Sequence, residues 1–167
     1  KSKRGEYELV SRRYRYQLER SHGDLDSDMH AFEACLLPHI NTFPSNVQGI
    51  WQYAFTEMVN NVIDHSEAEM MYVEILQDYL NTYVAIADNG VGIFEKIKNH
   101  FHFSDTDEAI GELFKGKLTT DAQNHSGEGI FFTSRMMDTF CIYSKEKIFT
   151  TSKYKEEYVL TMKESAD

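Results

Sequence analysis

Three short stretches of the chain carry residue types at spacings that could do chemistry. In FTEMVNNVIDHS, Glu57, Asn61 and His65 recur every four residues. On a helix that interval makes one row, and Asn61 and His65 point into the sector that Ala54 and Met58 also occupy. Polar groups aimed at an apolar sector need partners, either neighbouring backbone or a pocket that holds water, metal or ligand. In IADNGVGI, residues 86–93, Asp88 closes a predicted buried strand, and Gly90 and Gly92 allow a sharp turn and the close approach of a ligand. A carboxylate that only accepts hydrogen bonds suits an exocyclic amino group such as that of adenine. The same residues also make an ordinary Asp-Asn-Gly turn. In HSGEGIFF, residues 125–132, the unit Gly127, Glu128, Gly129 opens a helix, where free N–H groups and the helix dipole favour an anion. A plain loop with a helix cap reads the same way.

Two other patterns are decoys. Gly111, Gly116 and Lys117 fit the first seven positions of a phosphate loop, but Leu118 stands where a magnesium-binding Ser or Thr is required, and the intervening ELFK is helix-like. HFHF at 100–103 has two histidines and no third ligand at a diagnostic spacing.

The elements that must position these residues follow from hydrophobic period. Residues 7–18 read as an edge strand or hairpin, and SHGDLDSD at 21–28 as a turn-rich connection. Asp28 is placed to cap a helix that Pro38 ends near His39, and His30 on it reads as structural. Ser45 is placed to cap the longest helix, to about His65, with apolar residues from Val47 to Ile63 at intervals of three and four. Alternation at 70–76 and 83–88 predicts two paired strands, and short helices are expected at 93–100 and 107–115. A further helix starts at Gly129, and FCIYS, KIFTTS and EYVLTM predict three closing strands. Helices covering one face of a mixed, mostly antiparallel sheet make a two-layer α+β sandwich.

Composition bounds the function. At 167 residues and 41% hydrophobic, the chain has the size of one domain, divided here into an N-terminal strand and connection (1–28) and a folded body (29–163). Lys+Arg 17 against Asp+Glu 27 gives a net charge of -10, which disfavours a broad grip on nucleic acid or an anionic membrane. No apolar run approaches the ~18 residues of a membrane span and no signal peptide is evident, so a cytoplasmic location is expected. Cys35 and Cys141 sit in apolar stretches without CxxC spacing and read as buried free thiols. Since the chain begins at Lys1, it reads as processed or as a piece of a longer protein. Of its nine glycines, four fall in the two Gly-x-Gly units and none follows Gly129.

In this order and at these separations the three stretches resemble the motifs of the GHKL (histidine kinase-like) ATPase superfamily, over about residues 29–163. The resemblance implies the Bergerat α/β sandwich and a site for ATP and Mg2+. By it, Asn61 coordinates Mg2+, Asp88 receives the adenine amino group, and Gly90 and Gly92 form the first glycine box. Gly127, Glu128 and Gly129 meet the phosphates, and residues 94–126 form a lid in which Lys115 and Lys117 offer compensating charge. Glu57 stands where histidine kinases usually carry Asn. It matches the general base of the ATP-hydrolysing branches and of the anti-sigma-factor serine kinases, the nearest group. The run KLTTDAQNHSGEGIFFTSRMMD further resembles bacterial ATP-binding proteins joined to winged-helix and STAS-like domains. A protein partner, in cis or in trans, is therefore implied, and a homodimer is allowed. The family's late Gly-Thr pair has no counterpart, which leaves Thr150, Thr151 and Thr161 as unranked candidates for the adenine contact. Two function classes stay open: an ATPase or kinase, and a non-enzymatic switch gated by nucleotide. A plain interaction module is the third, with the acidic balance against it.

Overall fold

The backbone that carries the first two motifs begins as a small sheet. A computed structural model describes residues 10–115, 128–153 and, as a backbone strand, 155–161. Strands β1 (Arg12–Glu19), β2 (Met70–Gln77) and β3 (Thr82–Asp88) pair antiparallel in the order β1-β2-β3. Alternation decides which face is buried. Tyr14, Tyr16 and Leu18 of β1 and Met71, Val73 and Ile75 of β2 turn inward, while Arg15 and Glu74 lie opposite each other on the outer face as an exposed ion pair. Such a pair helps to fix the register and contributes little stability.

Helices cover the inner face. Ser27, one residue earlier than expected, caps the first of them by accepting from the backbone N–H of His30. Its path runs through α1 (Asp28–Ala31), a π-helical turn (Phe32–Leu36) and α2 (Leu37–Ile40). Pro38, expected to end this helix, instead lies in the first turn of α2. The π turn makes that place available: the N–H of Leu37 reaches back to the carbonyl of Phe32, and proline is tolerated in a first turn because its missing donor is not needed there. Helix α3 (Ser45–Asn60) follows Pro44, with Ser45 as its first helical residue rather than its cap. It continues as a second π-helical stretch, Asn61–Ser66, that stops at Glu67 in the left-handed region (φ 59). Phe55, Val59 and Val62 pack this helix onto Met71, Val73 and Ile75.

The second half repeats the plan. Helices α4 (Ile93–Phe101), α5 (Thr106–Lys115) and α6 (Gly129–Met136) pack against β4 (Thr139–Ser144) and β5 (Lys147–Ser152). Antiparallel pairing adds β6 (Lys155–Thr161) in the order β4-β5-β6. Phe94, Ile97, Ile110, Leu113 and Ile130 meet Phe140 and Phe149 in a core of their own.

Several expectations change here. The strands form two three-stranded antiparallel sheets, and no parallel pair joins them among the described residues, so the single mixed sheet is not present. The adjoining edges of β3 and β4 are left unpaired, which is why β3 is half-exposed rather than buried. Residues 94–115, expected to belong to a lid, are packed into the second core, and residues 116–127 lie outside the described region. Gly111 sits inside α5 with open space around it, in keeping with the rejected phosphate loop. Cys35 is buried, and burial, with Asp24 nearby, pushes its thiol up to about 11. Cys141 is exposed, contrary to expectation, because strand alternation turns it away from the face that buries Phe140. No helix among the described residues is long and apolar enough to cross a membrane.

One contact ties β1 to the end of the motif-bearing helix. Arg20 donates from Nε to the carbonyl of Ala68 (2.9 Å) and from a terminal nitrogen to that of Ile63 (3.1 Å). Replacing it by alanine strands helix-end carbonyls, and Arg20→Ala is expected to cost about 1.5–3 kcal/mol in urea denaturation. An unchanged midpoint would show that the clamp is not structural.

Candidate functional site

Between the facing edges of the two sheets lies a cleft of about 1510 Å³. Glu57, Asn61 and His65 line it from the end of α3, Asp88, Gly90 and Gly92 from the loop after β3, and Gly129 from the start of α6. The three motifs, far apart in sequence, therefore share one cavity.

The helix row is not a simple α-helical row. From Asn61 onward the backbone is π-helical, about 4.4 residues per turn by its i→i+5 bonding, and such turns recur at functional sites. Asn61 Nδ2 donates to the carbonyl of Glu57 (2.8 Å), which fixes the amide and leaves Oδ1 as a hard oxygen for a ligand. The carboxylate of Glu57 lies against Gly129: a Cβ built there would meet its Oε2 at 2.0 Å. Burial, with the Glu57 and Glu128 carboxylates nearby, pushes the Tyr53 phenol above its ordinary range. Both acids thus gather at the same helix end.

The glycine loop is held to the helix it follows. The N–H of Val91 donates to the carbonyl of Ser66 (2.6 Å), and Asn89 accepts through Oδ1 from the N–H groups of Glu69 and Met70. Asp88 Oδ1 accepts from the N–H of Gly90 (2.9 Å), so its loop end is an Asx turn with the other carboxylate oxygen turned to other uses. A Cβ on Gly90 would fall 2.1 Å from the Ser66 carbonyl oxygen, and one on Gly92 would fall 2.4 Å from the hydroxyl of Ser144. Both positions need glycine because another chain segment occupies the side-chain space.

Other expected residues are placed differently. Glu128 is the N-cap residue of α6, half-buried and with no side-chain cap bond, and does not line the cleft. Lys117 and Gly127 lie outside the described residues. Lys115 is exposed and pairs with Glu112, away from the cleft. Thr150 and Thr151 do not reach the cavity, and the side chain of Thr161 is outside the described set.

Four cleft residues were not anticipated. Lys96, one turn into α4, donates to the carbonyl of His65 and stands 4.0 Å from Glu67. Its spacing from Gly92, four residues across a helix start, is a signal that could have found it. Lys145 lines the far end with φ 53 in the β4–β5 turn, and nothing in the sequence marks it. Thr133 and Ser144 are buried in the wall with hydroxyls that have no hydrogen-bond partner among the described residues.

Charge limits what the cleft can accept. Among the described residues its walls carry Glu57, Asp78, Asp88 and Asp138 against Lys96 and Lys145. A polyphosphate entering these walls requires a cation of its own. No group of three or more His, Cys, Asp or Glu able to hold a metal occurs among the described residues. The donor set therefore fits a hard cation shared with ligand phosphates and water, as Mg2+ usually is, and does not fit an all-protein metal centre.

Compared with known family models, curated proteins and solved structures, the chain matches none. The geometry makes its own prediction. Gly90→Ala must push the loop off the Ser66 carbonyl, a backbone atom that cannot swing aside, and is expected to lose about 1–3 kcal/mol of stability. Gly111→Ala, with open space around it, serves as the control and should show no loss by thermal melting.

Proposed function

We propose that this chain is a Mg2+-dependent ATP-binding domain of the histidine kinase-like type, acting in a regulatory protein by hydrolysing ATP or passing its γ-phosphate to a protein partner. The observation that carries this reading is the meeting of the three motifs in one cleft, with the carboxylate of Glu57 set against the first residue of α6.

On this reading the roles follow from chemistry. Asp88, already fixed through Oδ1, offers its second oxygen to the exocyclic amine of adenine. The backbone at Gly129 and the positive end of α6 receive phosphate oxygens. Asn61 Oδ1 and the phosphates hold Mg2+, whose charge offsets the acidic walls. Glu57 orients the attacking water or hydroxyl, in a reaction governed by positioning and charge stabilisation. Lys96 takes the place that the lid lysines were expected to fill as a nearby cation.

The Bergerat arrangement is part of the same proposal. Gly92, beyond the end of β3, packs on Ser144 at the end of β4, so the C-terminal ends of these two strands lie together. That neighbourhood supports reading the two sheets as halves of one mixed sheet. A STAS-like domain is the proposed partner class, in cis or in trans.

Calorimetric titration with ATP, with and without Mg2+, tests binding, and phosphate release tests turnover. Glu57→Ala is expected to lower turnover at least ~100-fold while nucleotide still binds. Asn61→Ala is expected to remove the Mg2+-dependent part of the affinity. Full turnover in the Glu57 variant would overturn its role as base. Binding without phosphate release, in the presence of partner, would identify the non-enzymatic switch instead.

A further inference from the structure

Gly129 has a neighbour that a phosphate-binding role alone does not explain. The space where its side chain would start is filled by Glu57: an ideal Cβ would lie 2.0 Å from Oε2, 2.9 Å from Cδ and 3.4 Å from the Cβ of that residue. Gly129 is also the first residue of the eight-residue helix α6, whose N-cap residue Glu128 supplies no side-chain cap bond. The first turn of such a helix has N–H groups without intrahelical partners and the positive end of the dipole. A carboxylate placed there takes the position a ligand anion would take. Tyr53 reports the same gathering of charge, since Glu57 and Glu128 both act on its phenol.

We propose that Gly129 is a positioning residue: it seats the Glu57 carboxylate on the N-terminus of α6 in the ligand-free protein, and a ligand phosphate takes that seat only by displacing it. This rests on the nucleotide reading above. Binding the phosphate and releasing the base become one event, so Glu57 is free to orient a nucleophile only when a phosphate is present. The cost is affinity, because the apparent dissociation constant rises by the inverse of the fraction of molecules with an open seat.

Two substitutions separate a seat from mere negative charge. Glu57→Gln keeps the reach and removes the charge, while Glu57→Asp keeps the charge and draws it back by about 1.5 Å, one carbon–carbon bond. The probe is Mg2+–ATP in calorimetric titration with the whole chain, each variant first checked for an unchanged thermal midpoint. If the seat is real, both variants bind about five- to tenfold more tightly than the parent. Tighter binding by the Gln variant alone would mean that charge acts at a distance, and the seat would be refuted. Unchanged or weaker binding in both would refute it as well, while leaving nucleotide binding intact. Should neither parent nor variants bind, the nucleotide reading itself falls, and this proposal with it. Binding by the variants where the parent shows none would support both.

Discussion

A helix that ends inside a protein leaves its last carbonyl groups without intrahelical donors, and something must supply them. At the end of the 45–66 helix each donor comes from a different element. Arg20, just past β1, takes Ile63 and continues to Ala68; Lys96 of α4 takes His65; Val91 of the glycine loop takes Ser66; and the Ser66 hydroxyl turns back to Val62. Three separate parts of the chain are thus fastened to one turn. Asn61 and His65 lie in that turn, and Gly90 lies against its last residue, so the demand for hydrogen-bond donors also sets the relative position of two motifs.

Much of this was legible beforehand, for reasons that can be named. The period of α3 was clear because Phe55, Val59 and Val62 bury one stripe, and the strands at 70–77 and 82–88 showed because Met71, Val73 and Ile75 alternate with partly exposed residues. The π turns were not legible. They depend on how Pro38 and the Asn61–Ser66 stretch meet their tertiary surroundings, and the apolar spacing of such a turn looks α-helical on paper. Helix starts were misplaced by a residue at Ser27 and Ser45, a common uncertainty at boundaries. The exposure of Cys141 was hidden because an apolar neighbourhood in sequence says nothing of which face of a strand a residue occupies.

Of the site itself, Glu57, Asn61, His65, Asp88, Gly90, Gly92 and Gly129 were found from type and spacing, and all line one cleft. Missing from that reading were the residues whose importance is purely spatial. Lys145 and Ser144 enter through the end of β4, and Thr133 faces the cavity from within α6, without any local pattern to mark them. The glycines proved informative in an unexpected way. Gly90, Gly92 and Gly129 all have negative φ or an ordinary helical backbone, and what reserves them for glycine is a carbonyl, a hydroxyl and a carboxylate standing where a side chain would be. Net charge also took on local meaning: an acidic chain keeps its acidity even in its main cavity, so selection for a polyanion would depend on its accompanying cation.

The unpaired edges of β3 and β4 have a consequence for solubility. A sheet edge offers backbone donors and acceptors to any extended chain, and two such edges face one gap here. The side chains around the gap are therefore placed where they discourage strand addition by another molecule: Asp78 and Asp88 flank β3, and Asp138 and Lys145 flank β4. Neutralising these four positions would leave the cavity's shape intact and make the protein adhesive. On this view the charges that constrain the ligand also act as gatekeepers against self-association.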